Sequence, residues 1–263
     1  MALLCVLPSP ALALDLHGAL TQGSLITGQA DPGDKILLGG EAIEVSPDGV
    51  FVFGFARNQA PSAQLTVIHA GGAVEQVHLD VAQRTYDIQR IDKLDQNMVT
   101  PDAATQARIK AEQEKVNAAR AASTADRGFL GPFLWPAKGP VSGVYGSQRI
   151  LNGEPRQPHF GLDIAAPEGS PVIAPAPGIV RLAESDFYLT GGTVILDHGF
   201  NVNSTFIHME EVDVKVGQVL KQGDLIGHVG KKGRATGPHL HWAMNWGEVR
   251  VDPQLLLPPL PVN

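Results

Sequence analysis

The chain reads as a mainly β protein, with an N-terminal small β-sandwich, a helical linker and a C-terminal antiparallel-β domain. Three observations predict this. Short runs rich in β-branched and aromatic residues recur along most of the 263 residues, each bounded by turn-forming residues. The 29 glycines and 20 prolines supply those turns without reaching the range of low-complexity chains. One charged stretch, near residues 100–120, carries helical spacing instead.

Taken in order, residues 1–13 are uncharged and mostly apolar, and Ala11-Leu12-Ala13 has the small-x-small spacing of a signal-peptidase site. They are expected to be a signal peptide cut before Leu14, which would place the protein outside the cytoplasm, in the periplasm or cell envelope. The single cysteine, Cys5, falls in that segment. The expected mature chain therefore has neither a disulfide nor thiolate chemistry. No other apolar run is long enough to span a bilayer.

Residues 14–84 divide into Ser24-Leu25-Ile26, Lys35 to Leu38, Ala42 to Val45, Val50 to Phe53, Gln64 to Ile68 and Val74 to Val81. Asp31-Pro32-Gly33, Ser46-Pro47-Asp48-Gly49 and Gly71-Gly72 are the turns between them. This is the pattern of a small sandwich, serving as a spacer or as a surface for a partner, the wall or the groove. In the linker, 85–139, Thr100 is expected to cap a helix begun by Pro101 and Asp102. Ile109, Glu112, Val116 and Ala119 share one face, which suits a solvated strut with one packed side. Phe129 to Pro140 is an apolar connection, either filler between domains or a wall beside a groove. Residues 140–253 return to strands at Val141 to Tyr145, Val172 to Ala174, Ile179 to Leu182, Thr193 to Leu196, Ser204 to Ile207 and Gly217 to Val229, and 254–263 form a Pro-rich tail.

Composition narrows the partners. A hydrophobic content of 43% is enough for packed cores, and the net charge of -7, with no concentrated basic surface, argues against nucleic acid.

The chemistry rests on five side chains in the C-terminal part: His159 and Asp163, the isolated His208, and His239 with His241. In a strand opened by Gly237-Pro238, His239 and His241 point the same way. His159 and Asp163 stand about 13 Å apart in a straight strand, too far to share a metal at ligand distances of about 2 Å, so the chain must bend between them. Gly161 is the expected bend. Helical spacing would also join them, but Pro158 and Pro167 leave too little room for a helix. His159, Asp163 and one of the His239/His241 pair meet the three-ligand count of a catalytic zinc, and the remaining histidines are free for proton work. His17, His69, His78 and His228 are expected to be surface or structural, and His198 stays outside the site set.

At these residues the sequence resembles the lysostaphin-like (LytM-type) peptidoglycan zinc endopeptidases. The likeness covers roughly residues 140–253 and is carried in order by His159-x-x-x-Asp163, Thr193 to Gly199, His208, and Gly233-x-x-Thr236-Gly237-Pro238-His239-Leu240-His241. It implies His159, Asp163 and His241 as ligands of Zn2+, His208 and His239 as the catalytic pair, and peptidoglycan amide bonds as the substrate. It does not say which of the pair is the base. Phe206, Met209 and Ala243 depart from the family's usual Tyr, Leu and acidic residue, and none of the three removes an expected ligand.

Two other readings have separate consequences. A non-catalytic wall-binding or hydrolase-activating protein would keep the metal site without turnover. Residues 214–227 also resemble the hairpin of lipoyl carriers, but carriers need no histidine cluster, and no lysine here sits in the expected flanked turn.

Overall fold

The computed structural model describes residues 14–92 and 100–259. The expected signal peptide and Cys5 lie outside the described residues. The N-terminal strands are β1 (Asp15–His17), β2 (Leu25–Gln29), β3 (Lys35–Leu38), β4 (Glu41–Ile43), β5 (Val50–Gly54), β6 (Ser62–Ile68) and β7 (Val74–Asp80). They form two antiparallel sheets, β1-β2-β5 and β4-β3-β6-β7, which together make the predicted sandwich.

The run Val50-Phe51-Val52-Phe53 has no polar alternation, and it is buried on both faces. Phe51, Phe53 and Phe55 fill the sandwich core with Ile26, Ile36 and Leu65. Val50 and Val52 turn the other way, into the larger core that also contains Met244 and Val251 of the C-terminal region. The sandwich is therefore docked through apolar packing, which a loose spacer would lack.

Next comes β8 (Ile88–Ile91), which the sequence reading leaves inside the linker. It pairs in parallel with β10 (Gln148–Leu151), a partner about sixty residues away that no local pattern announces. Helix α1 spans Ala103–Ala121. Its cap is Asp102 and not the expected Thr100: Asp102 Oδ1 accepts from Thr105 N at 2.7 Å. The aspartate satisfies an otherwise orphaned first-turn donor and carries charge that suits a helix start. Val116 and Ala119 pack on Leu182, Phe187 and Ile195, the apolar stripe the spacing predicts.

Strands β9 (Val141–Gly143), β10, β11 (Glu154–Pro155), β12 (Leu162–Ala165), β13 (Pro171–Ile173) and β14 (Gly178–Phe187) lead into the main sheet. It continues through β15 (Gly191–Gly199), β16 (Val202–Val212), β17 (Val219–Leu220), β18 (Leu225–Val229), β19 (His239–Trp246) and β20 (Val249–Val251). The order is β17-β14-β15-β16-β19-β12-β9, with β13, β18 and β20 attached, and every pairing is antiparallel. Leu240, Trp242 and Met244 of β19 face the large core, so His239 and His241 face away from it. The Phe129 to Pro140 connection lies on the core side, where Phe133 meets Trp242 and the edge of His198. Phe129, Phe133 and Ala137 fill the core from this connection.

Candidate active site

Strand β19 sets the site. Its register places His241 opposite Asp163 of β12 and opposite Ile207 of β16, so the two flanking strands deliver Asp163 and His208 beside the His239/His241 pair. Asp163 is reached at a bulge in the β12–β9 ladder. His159 lies just before β12, and its backbone N–H is held by Ser147 O at 2.8 Å.

Three donor atoms converge. His159 Nε2 lies 3.0 Å from Asp163 Oδ1 and 2.9 Å from His241 Nδ1, and His241 Nδ1 lies 2.7 Å from the same oxygen. The His159 and Asp163 side chains are 1% and 7% exposed. His159 Nδ1 donates to Val144 O at 2.9 Å, which leaves Nε2 of the neutral ring as a lone pair. Lone pairs on nitrogen and a carboxylate oxygen thus meet in a dry place, an arrangement that a divalent cation resolves and that apolar packing does not. The donor set is that of zinc with one carboxylate and two imidazoles, and the carbonyl that holds the tautomer is the usual support for a metal-bound histidine.

Gly161 is required for a different reason from the expected bend. Its φ is not in the left-handed region. A Cβ there would lie 2.6 Å from His241 Nε2 and Cε1 and 2.8 Å from Trp242 O, so a glycine lets the chain pass close over the imidazole. Gly143 does the same for the carboxylate, since its Cβ would fall 2.3 Å from Asp163 Oδ2.

His208 and His239 stand next to the donors, with ring centres 4.8 Å apart. His208 Nδ1 donates to Lys232 O at 2.8 Å and His239 Nδ1 to Gly237 O at 2.9 Å, so in both rings Nε2 is the uncommitted atom. His239 Nε2 comes within 3.9 Å of Asp163 Oδ1. His208 adopts φ +65, the left-handed region that a β-carbon disfavours, and its N–H is tied to Thr190 O at 2.7 Å. Phe206, where many of the resembled proteins carry a tyrosine, is buried in the core and presents no phenol to the site.

Electrostatics favour the neutral form of His208 and His241. Burial, reinforced by the charges of His239 and His241, pushes His208 down to about 3. Burial likewise lowers His241 to about 4, against the pull of Asp163. Burial opposes ionisation of Asp163, but the adjoining His159 and His241 rings outweigh it and hold the carboxyl well below its usual range.

The sequence reading misses Arg149, whose Nη2 donates to Asp163 Oδ2 at 2.9 Å and so leaves Oδ1 facing the donors. Nothing in residue type or spacing separates Arg149 from Arg156 nearby. The three carbonyls that fix the tautomers are equally invisible, because every residue has one. A cavity of about 240 Å3 opens on the site, lined by Arg149, Asp163, His208, Arg234, Thr236 and His239 among others.

Residues 157–253 match peptidase family M23. A solved structure from Pseudomonas aeruginosa assigned to peptidase M23 superposes with a TM-score of 0.70 at 28% identity, covering 90% of this chain and 95% of that one. The sandwich and linker are thus part of the shared fold. The cell division protein DipM of Caulobacter vibrioides is 31% identical over 49% of this chain and 21% of its own length. The peptidoglycan DD-endopeptidase ShyA of Vibrio cholerae is 38% identical over 33% of this chain and 20% of its own. The matches to these curated relatives thus span about a fifth of each relative's length.

Proposed function

We propose that the chain, whose residues 157–253 match peptidase family M23, is an exported zinc endopeptidase that hydrolyses amide bonds in peptidoglycan stem peptides or cross-bridges. The observation that carries the reading is the convergence of His159 Nε2, Asp163 Oδ1 and His241 Nδ1 beside two imidazoles with uncommitted Nε2 atoms.

His159, Asp163 and His241 would hold the zinc. Bound there, the ion supplies a water acidic enough to act as a nucleophile near neutral pH and polarises the scissile carbonyl. His208 and His239 do the proton work. With Nδ1–H spent on carbonyls, each can accept a proton at Nε2 and, once protonated, donate from that atom. One takes the proton of the attacking water, and the other steadies the oxygen of the tetrahedral carbon or passes a proton to the leaving amine. Arg149 steers the Asp163 carboxylate by holding its outer oxygen.

Peptidoglycan as the substrate, and hence a place in the cell envelope, is supported by the activity named for ShyA. No helix among the described residues is long and apolar enough to cross a membrane. The deciding experiment is digestion of purified peptidoglycan with mass spectrometry of the fragments, comparing the native protein, the chelated protein and His239→Ala. New muropeptides are expected from the native protein alone. Unchanged muropeptides in all three remove the enzyme reading and leave the non-catalytic, wall-binding or activating one.

A further inference from the structure

A second cluster of charge lies apart from the histidines. Where the last turn of α1 meets the β19–β20 hairpin, a cavity of about 450 Å3 is lined by Asn117, Arg120, Asn201, Asn245 and Arg250. Arg120 Nη2 donates to Thr205 Oγ1 at 3.1 Å, while its Nε is buried with no hydrogen-bond partner. Arg250 Nη1 donates to Asn245 Oδ1, also at 3.1 Å. Neither guanidinium meets a carboxylate among the described residues. Glu248, the only acid lining the cavity, is exposed and pairs with neither.

This is unlike the other enclosed arginines with assigned partners. Arg84, Arg149 and Arg181 meet Asp252, Asp163 and Asp197 at 2.8, 2.9 and 2.8 Å. Burial, with the charge of Arg250 adding to it, pushes Arg120 down to about 9, and burial also lowers Arg250. Two partly desolvated cations side by side are unfavourable unless an anion joins them. The neutral amides around them cannot balance the charge, and the C-terminus of α1 offers only a fraction of one. An oxyanion with two or more oxygens can accept hydrogen bonds from more than one guanidinium.

We infer that this cavity is an anion-binding site that takes a carboxylate or phosphate group between Arg120 and Arg250, with the surrounding asparagines completing its hydrogen bonds. Asn245 lies four residues along β19 from His241, about 13 Å away, so the site is distinct from the metal donors. It stands whether or not the chain is a hydrolase.

The test uses the full chain loaded with zinc, at constant ionic strength in chloride. Inorganic phosphate and glutarate are titrated separately, while the Nε–H signals of Arg120 and Arg250, assigned from Arg120→Met and Arg250→Met, are followed by NMR. Saturable shifts of both signals are expected with at least one of the anions, together with a rise in melting temperature. The tighter binder tells phosphate from carboxylate chemistry. Each methionine variant is expected to weaken binding at least about tenfold, as loss of one charged fork should. Arg120→Met should melt no lower than the parent without anion, because it removes a charge that lacks a partner. Signals that neither anion moves at tens of millimolar, or anion binding that persists undiminished in both variants, overturn the inference. So does an Arg120→Met protein that melts several degrees below the parent without anion, since the charge would then be balanced within the fold.

Discussion

Of the three places among the described residues where histidine and carboxylate groups come within reach of one metal ion, two differ sharply in what surrounds them. At Glu211, Asp213 and His228 the atoms lie 3.4 and 3.2 Å apart, but the side chains are 68%, 37% and 29% exposed. At His159, Asp163 and His241 the corresponding exposures are 1%, 7% and 13%, and the outward nitrogen of His159 is tied to a carbonyl. Residue type alone does not make a metal centre. Water solvates the first cluster and screens its charges, whereas the second has only its own lone pairs to face.

The largest effect that tests this contrast comes from Asp163→Ala. It should abolish the single equivalent of bound zinc and lower peptidoglycan hydrolysis by about a thousandfold or more. His228→Ala should change neither, with metal content read by elemental mass spectrometry. Zinc lost from His228→Ala and kept in Asp163→Ala would reverse the assignment.

Gly161→Ala probes the same pocket without touching a donor. The added carbon meets the His241 ring, so activity should fall about a hundredfold, the cost of a misplacement near 1 Å. Overall melting should change far less. Normal activity would mean that the loop moves aside freely.

His198 separates burial from ligation. It is fully buried, yet Nδ1 donates to Pro177 O at 2.7 Å and Nε2 accepts from Ser204 Oγ at 2.8 Å, leaving no lone pair for a metal. Burial lowers it to about 4. With the folded value below the unfolded one, its stabilising contribution is complete above about pH 6.5 and is lost as pH falls towards 4, amounting to about 2 kcal/mol by pH 5. Urea unfolding of the zinc-loaded protein across that range, compared with His198→Gln, checks this: the variant should show the shallower pH dependence.

Arg149→Met is the mildest change. Releasing the outer oxygen of Asp163 should weaken zinc about tenfold, the low end for groups that orient a ligand. A competition titration with a chelator measures it, and unchanged affinity would reduce Arg149 to a bystander.

Much of the architecture is legible from local pattern. Most strands of the sandwich follow from alternating or continuous apolar runs closed by Gly and Pro turns, and of the expected α1 face, Ile109, Glu112, Val116 and Ala119, the last two are buried. The helix start is less so, since Thr100 and Asp102 are both competent caps and only the backbone path selects Asp102. β8 escapes detection because its partner, β10, is distant in sequence and parallel, and a four-residue strand with Gln89 and Arg90 at its centre has no signature of its own. Gly161 stands out by position, while its reason, clearance for His241, depends on a strand eighty residues later.

What the amino-acid order determined by itself is the inventory: five chemically competent side chains, in a sequence of spacings that chance seldom produces, within a strand-forming frame. What only the tertiary structure decided is which lone pairs meet. Arg149, the carbonyls of Val144, Lys232 and Gly237, and the Arg120 and Arg250 side chains lining one cavity acquire meaning only from neighbours distant in sequence. The physical reason is that hydrogen bonding and desolvation act over a few ångströms in space, and strand pairing sets those distances with no regard to separation along the chain.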